Sequence, residues 1–184
     1  MADRPPRKKS KPPASKLPRR LPNAVCVCRT KDGQAWELVH PRCALERRED
    51  IEEVESMIEL GESEIAVEEL RWLLSGCSEF IEGHFLLGEM AIGEQDVKLA
   101  RGHFGFAYQL GLTALRRAGM PTPLPYQLAD NRHFFESGKG LVYCLKELGK
   151  LDMAREVVDV LRHCDPTDPL GLGSMLNQLP IIDL

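Results

Sequence analysis

Apolar residues recur at three- and four-residue spacing along most of the chain. Ile51, Val54, Met57 and Ile58 form a first stripe; Ile65, Ala66, Leu70, Leu73 and Leu74 form a second after Gly61. Phe80, Leu87, Met90 and Ala91 follow, then Val97, Ala100, Phe104, Ala107 and Leu110. Beyond a proline-rich break come Leu141, Leu145 and Leu148, then Met153, Ala154, Val158 and Leu161. This spacing predicts amphipathic helices. All connections but one are short, which makes consecutive helices antiparallel neighbours. Residues 24–39 instead carry two β-rich runs around Asp32-Gly33, a hairpin signal. A two-residue turn there pairs Arg29 with Trp36, Val27 with Leu38 and Cys28 with Glu37. Val25, Val27, Trp36 and Leu38 then face a core, with Cys26 and Cys28 on the other side. Pro41 suits the first turn of a helix, so the helical body is expected over 43–178.

The helical body repeats. Gly61 precedes Ala66 by five residues and Gly149 precedes Ala154 by five; Ala66 leads to Leu70 and Leu73, Ala154 to Val158 and Leu161. Ala100, with Phe104 and Ala107, lies 34 residues after Ala66, and Ala154 lies 54 after Ala100, which is one period of 34 plus an insertion of 20. A small residue at a helix crossing lets the axes approach, and the larger residue a turn later fills the groove. Gly61 and Gly149 suit the left-handed residue that ends the first helix of a pair.

With Leu87-Gly88, Ala91, Ala100, Phe104 and Ala107 in the middle unit, and Asp165-Pro166-Thr167-Asp168 closing the last, residues 44–178 resemble the tetratricopeptide repeat, a 34-residue helix pair. The units would be 47–80, 81–114 and 135–168, with a capping helix near 169–178 over the open end. The fold class expected is therefore mainly α. It comprises a solenoid of three helix pairs and a capping helix, a small β-hairpin at 24–42, an N-terminal arm at 1–23 and a tail at 179–184. The resemblance implies a peptide or protein partner on a concave face lined by the first helix of each pair. On this sequence that face includes Arg48, Ile51, Glu55, Glu82, Phe85, Glu89, Lys139, Tyr143 and Lys146. Lys139, Tyr143 and Lys146 fall at i, i+4 and i+7 and would suit an acidic segment or a carboxylate. The insertion loop, 115–134, contains GMPTPLPYQLADN at 119–131. Three prolines stiffen it, and Leu124 and Tyr126 are its candidate contacts.

Charge divides the chain. Its 184 residues hold 24 Lys+Arg and 28 Asp+Glu. Residues 1–20 hold eight basic side chains and one acid, a net of +7, leaving 16 basic and 27 acidic residues, a net of −11, in the remainder. The arm is rich in proline and has no aromatic, a composition that predicts disorder. Its cations at 4–20 would meet phosphates or an acidic surface, so a nucleic-acid- or ribosome-associated role is the alternative to an interaction scaffold.

Candidate chemistry is sparse. Cys26, Cys28, His40 and Cys43 form a weak zinc constellation, since C-x-C is not the usual knuckle and the hairpin register puts His40 opposite both thiols. Cys77, Cys144 and Cys164 read as small buried hydrophobes. Length and the lack of a secretory pattern argue against disulfides. No phosphate-binding glycine loop, nucleophile elbow or H-E-x-x-H occurs, and the histidines are scattered, so no enzyme and no cofactor are expected. No apolar run is long enough for a membrane span. The expectation is a non-catalytic protein-interaction module in the cytoplasm.

Overall fold

The computed structural model describes residues 22–177. Of the expected basic arm only Pro22 and Asn23 fall among these; the rest of the arm and the tail at 179–184 lie outside the described residues. The chain is mainly helical, with one small antiparallel sheet. Strands β1 (Cys26–Arg29) and β2 (Trp36–Val39) precede a short α1 (Arg42–Leu45). Then come α2 (Arg48–Glu59), α3 (Ser63–Gly76), α4 (Ile81–Gly93), α5 (Val97–Arg117), α6 (Ala129–Glu147), α7 (Leu151–Cys164) and α8 (Leu172–Asn177). Consecutive helices from α2 to α8 pack on one another, and α4 also packs on α6.

The hairpin has the expected register: Val27 opposite Leu38, Cys28 opposite Glu37, Arg29 opposite Trp36. Thr30 N–H donates to the Ala35 carbonyl at 3.0 Å, and Gly33 takes a positive φ of 73°. Val25 and Leu38 are buried, and the Arg29 guanidinium sits 5.3 Å from the Trp36 ring centre on the same face.

Each of the three helix pairs turns on a left-handed residue. Gly61 has φ 79° and Gly149 φ 69°. Between them Gln95, 34 residues after Gly61, takes φ 62° at the same place. In all three cases the next residue's N–H reaches back to the preceding helix: Glu62 to Met57 O, Asp96 to Ala91 O, Lys150 to Leu145 O. This pattern satisfies the last carbonyls of a helix. Ala66, Ala100 and Ala154 are all fully buried. Their neighbours Ile65 and Met153, assigned to the apolar stripes from sequence, are exposed. Adjacent helical residues point about 100° apart, so only one of each pair can face the crossing.

The 20-residue insertion is mostly helix. Helix α5 has 21 residues against 14 in α3 and α7, and α6 has 19 against 13 in α4. The irregular connection is confined to 118–128, shorter than the expected loop at 115–134. It also packs inward. Leu124 is fully buried, and its N–H donates to Cys164 O at 2.8 Å. Tyr126 N–H donates to an Asp165 carboxylate oxygen at 3.0 Å and its hydroxyl to Glu136 at 2.8 Å. Pro123, after a cis peptide bond, accepts from Trp36 N–H. Buried Asn131 completes the junction: its Oδ1 accepts from Leu38 N–H, and its Nδ2 donates to the Trp36 and Pro125 carbonyls. Leu124 is thus a core residue rather than an outward contact, because the loop must pair its backbone with the hairpin and the end of α7.

Two apolar cores result. One joins α1, α2, α3 and the start of α4 around Val54, Leu70 and Leu73. The other joins the hairpin to α4–α8 around Phe104, Phe134 and Phe135. The second is built by rings seated on glycines. A Cβ at Gly88 of α4 would lie 2.6 Å from the Phe104 ring, and one at Gly140 of α6 2.7 Å from it. Gly111 and Phe134 repeat the device: a Cβ at Gly111 would overlap the Phe134 ring.

Cys43 and Cys77 form a disulfide that ties α1 to the end of α3, with their Cα atoms 5.7 Å apart. This overturns two sequence readings: that disulfides are absent, and that Cys77 is a free buried thiol. The two cysteines are 34 residues apart, one period of the helical pattern, but they meet only when α3 returns along α2.

Candidate functional site

The first helices of the three pairs, α2, α4 and α6, line two adjoining hollows. The larger, about 410 Å³, has Phe85, Glu89 and Ile92 of α4 on one wall and Glu136, Lys139, Gly140 and Tyr143 of α6 on the other. Phe104 of α5 forms its floor, and Met175 of α8 lies at its end. The floor exists because Gly88 and Gly140 let the Phe104 ring reach between the two helices. The smaller, about 290 Å³, is bounded by His40 and Ala44 near α1, Arg48 and Glu55 of α2, Phe80 and Glu82 at the start of α4, and Asp130 and His133 of α6. The extra turns of α6, which come from the insertion, supply its last wall.

His133 stands on the ridge between the hollows. Its Nε2 lies 3.7 Å from Glu82 and 3.9 Å from Glu136, and its ring centre is 5.2 Å from that of Phe85. Burial lowers its pKa even though both Glu136 and Glu55 pull upward. Burial and the neighbouring Glu55 carboxylate raise Glu82. Burial and Glu136 raise Glu89, with Lys139 opposing. Carboxylates outnumber Lys and Arg along the groove: Glu52, Glu55, Glu82, Glu89, Asp130 and Glu136 stand against Arg48 and Lys139.

Of the residues expected on the concave face, Phe85, Glu89, Lys139 and Tyr143 meet around the larger hollow, and Arg48 belongs to the smaller one. Tyr143 is 40% exposed. Lys146 is bound at the end of the hollow: its ammonium donates to the Met175 carbonyl, holding α8 against α6. Sequence reasoning missed His133, Glu136 and Met175 as wall residues. Glu136 was findable, since it precedes Lys139 and Gly140 by one turn; Met175 was not, since only the fold carries α8 to the groove.

The zinc candidates do not converge. Cys43 is consumed by the disulfide, and His40 Nε2 lies 2.9 Å from the Asp130 carbonyl. Cys28 Sγ is 3.5 Å from a Glu37 carboxylate oxygen; burial, then Glu37, pushes its thiol up to about 11. A thiol held protonated is a poor ligand. Among the described residues no group of three metal-ligating side chains forms, and no helix is long and apolar enough to cross a membrane.

Comparison with protein-family models, with curated proteins and with solved structures finds no match. The likeness to the tetratricopeptide repeat thus rests on the residues of this chain alone.

Proposed function

We propose that the chain is a non-catalytic protein-interaction module of tetratricopeptide-like build, which holds an extended peptide segment in the groove of α2, α4 and α6. One observation carries the reading. Phe85 and Glu89 of α4, with Lys139 and Tyr143 of α6 each 54 residues further on, surround a single hollow with aromatic walls and charges of both signs. Aromatic anchors with polar groups at the rim are the usual means of holding a peptide. The surrounding carboxylates favour a segment that carries cations, not the acidic partner that Lys139 and Lys146 suggest by themselves. The alternative role in binding nucleic acid depends on cations at 4–20, which lie outside the described residues, and the acidic groove offers phosphates no seat.

The test is selection of peptides from a display library, followed by calorimetric titration. Selected peptides should be enriched in Lys or Arg beside an apolar residue. Phe85→Ala and Tyr143→Ala, with unchanged circular dichroism, should each weaken binding at least about tenfold, a cost of ~1.4 kcal/mol. Peptides that bind both variants as well as the native chain would sink the proposal.

A further inference from the structure

We infer that the first occupant of this groove is the chain's own basic segment, residues 4–20, lying across α2, α4 and α6 as an intramolecular ligand. The inference rests on the peptide-groove reading above and adds the identity of the peptide.

Three observations support it. The first is charge. Glu52, Glu55, Glu82, Asp130, Glu89 and Glu136 line the two hollows against Arg48 and Lys139. Among the described residues, the ion pairs of Glu82 and Glu136 are both with His133, and Glu55 and Glu89 form none. Eight cations stand in residues 4–20. The second is the point of exit. Arg42 N–H donates to the Pro22 carbonyl at 3.0 Å, so the chain leaves the body beside α1. His40, Ala44 and Leu45, which flank that hydrogen bond in sequence, line the smaller hollow. The third is reach. An extended chain covers about 3.1 Å per residue. The six steps from Pro22 back to Lys16 then cover roughly 19 Å, against about 8–10 Å between packed helices. Lys16 can reach α4, and Lys8, Lys9 and Lys11 can reach α6. Leu17, between Lys16 and Arg19, supplies an apolar side chain for the hollow. A tether this short sets a local concentration near millimolar, so even a weak contact is populated before a separate partner arrives.

The decisive experiment is zero-length carbodiimide cross-linking of the full chain, read by mass spectrometry. Mixing isotopically labelled and unlabelled chains separates links within a chain from links between chains. Lys8, Lys9, Lys11 or Lys16 should join Glu55, Glu82, Glu89 or Glu136 of the same chain. The yield should fall several-fold at 1 M salt, where the screening length is about 3 Å, and in the double variant Glu82→Gln with Glu136→Gln. Links confined to other carboxylates, or formed only between chains, would overturn the inference. A second measurement separates it from the groove reading. In the full chain, Arg7, Lys8, Lys9, Lys11 and Lys16 are replaced by Gln, and a library-selected peptide is titrated into both chains. Binding about tenfold tighter to the substituted chain supports the segment as a competitor. Equal affinity for both chains overturns the segment while leaving the groove as a peptide site.

Discussion

The helix pair α2–α3 and the helices α4–α7 are held together in different ways. In α2–α3 the buried side chains are mostly aliphatic, and Cys43–Cys77 clasps α1 against α3. In α4–α7 the aromatic residues Phe104, Tyr108, Phe134 and Phe135 fill the centre, and glycines on facing helices make room for them. The first region is held at its edge by a covalent link; the second is held throughout by shape. Phe85 borders both cores, which sets the groove on their seam. A binding surface at a seam responds to either region, so the two should be separable by mutation.

The largest effect is expected at Phe104, which is 1% exposed and touches α4 and α6 at once. Phe104→Ala should cost about 3–5 kcal/mol, seen as a large fall in melting temperature and loss of the groove floor. A smaller loss would mean that the glycine sockets collapse easily and that shape does not govern this region. Next comes the clasp. Cys43→Ser should cost about 2–4 kcal/mol through the freed unfolded chain. Hydrogen exchange should accelerate in α1–α3 and remain slow in α5–α6. Uniform acceleration would show a single cooperative unit and erase the distinction. The native protein, unfolded without reductant, should expose four reactive thiols rather than six.

Gly140→Ala sharpens the comparison at smaller scale. The new methyl would stand 2.7 Å from the Phe104 ring, and such overpacking costs about 1–3 kcal/mol. A methyl added at Gly102 of α5 would meet nothing within 4 Å; Gly102→Ala should stabilise by up to about 1 kcal/mol from helix propensity. Opposite signs in chemical denaturation would isolate the socket from the backbone effect.

The smallest effect is with pH. Burial lowers His84 to about 4 and also lowers His103 and His133, all in α4–α6. A depressed histidine favours the neutral form when folded, so the unfolded chain binds more protons at mildly acid pH. Its stabilisation is fully present above the ordinary value of 6.5 and is lost as pH falls towards 4. The raised carboxylates Glu82 and Glu89 work in the opposite sense, gaining protons more readily in the folded chain. His84→Leu should therefore flatten the fall in melting temperature between pH 6.5 and 4. An unchanged slope would remove His84 as a source of acid sensitivity.

Much of the fold was legible. Asp32-Gly33 marked the hairpin and its register, although the turn itself differs from the expected two-residue one: Gly33 N–H bonds back to Thr30 O, which centres it on Lys31 and Asp32. The period of 34 located Gly61, Gly149 and the three buried alanines, because a helix pair needs a left-handed break and a narrow crossing at fixed places. Gln95 was hidden: its side chain does not advertise a positive φ, and only its spacing does. The insertion misled. Three prolines suggested a stiff extended loop with Leu124 as a contact, yet most of its length became extra turns of α5 and α6, and Leu124 was drawn into the core by backbone pairing with Cys164.

The sequence by itself determined the local periods: which residues form helices, where each pair breaks, and that cations gather at one end and carboxylates in the body. These depend on neighbours within a turn or two. Only the tertiary structure decided which distant groups meet. It joined Cys43 to Cys77, set Phe104 between Gly88 and Gly140, gave Lys146 to Met175, and brought His133 between Glu82 and Glu136. Those meetings depend on how far helices approach and at what angle they cross, and that is fixed by the packing of whole side-chain surfaces rather than by any spacing along the chain.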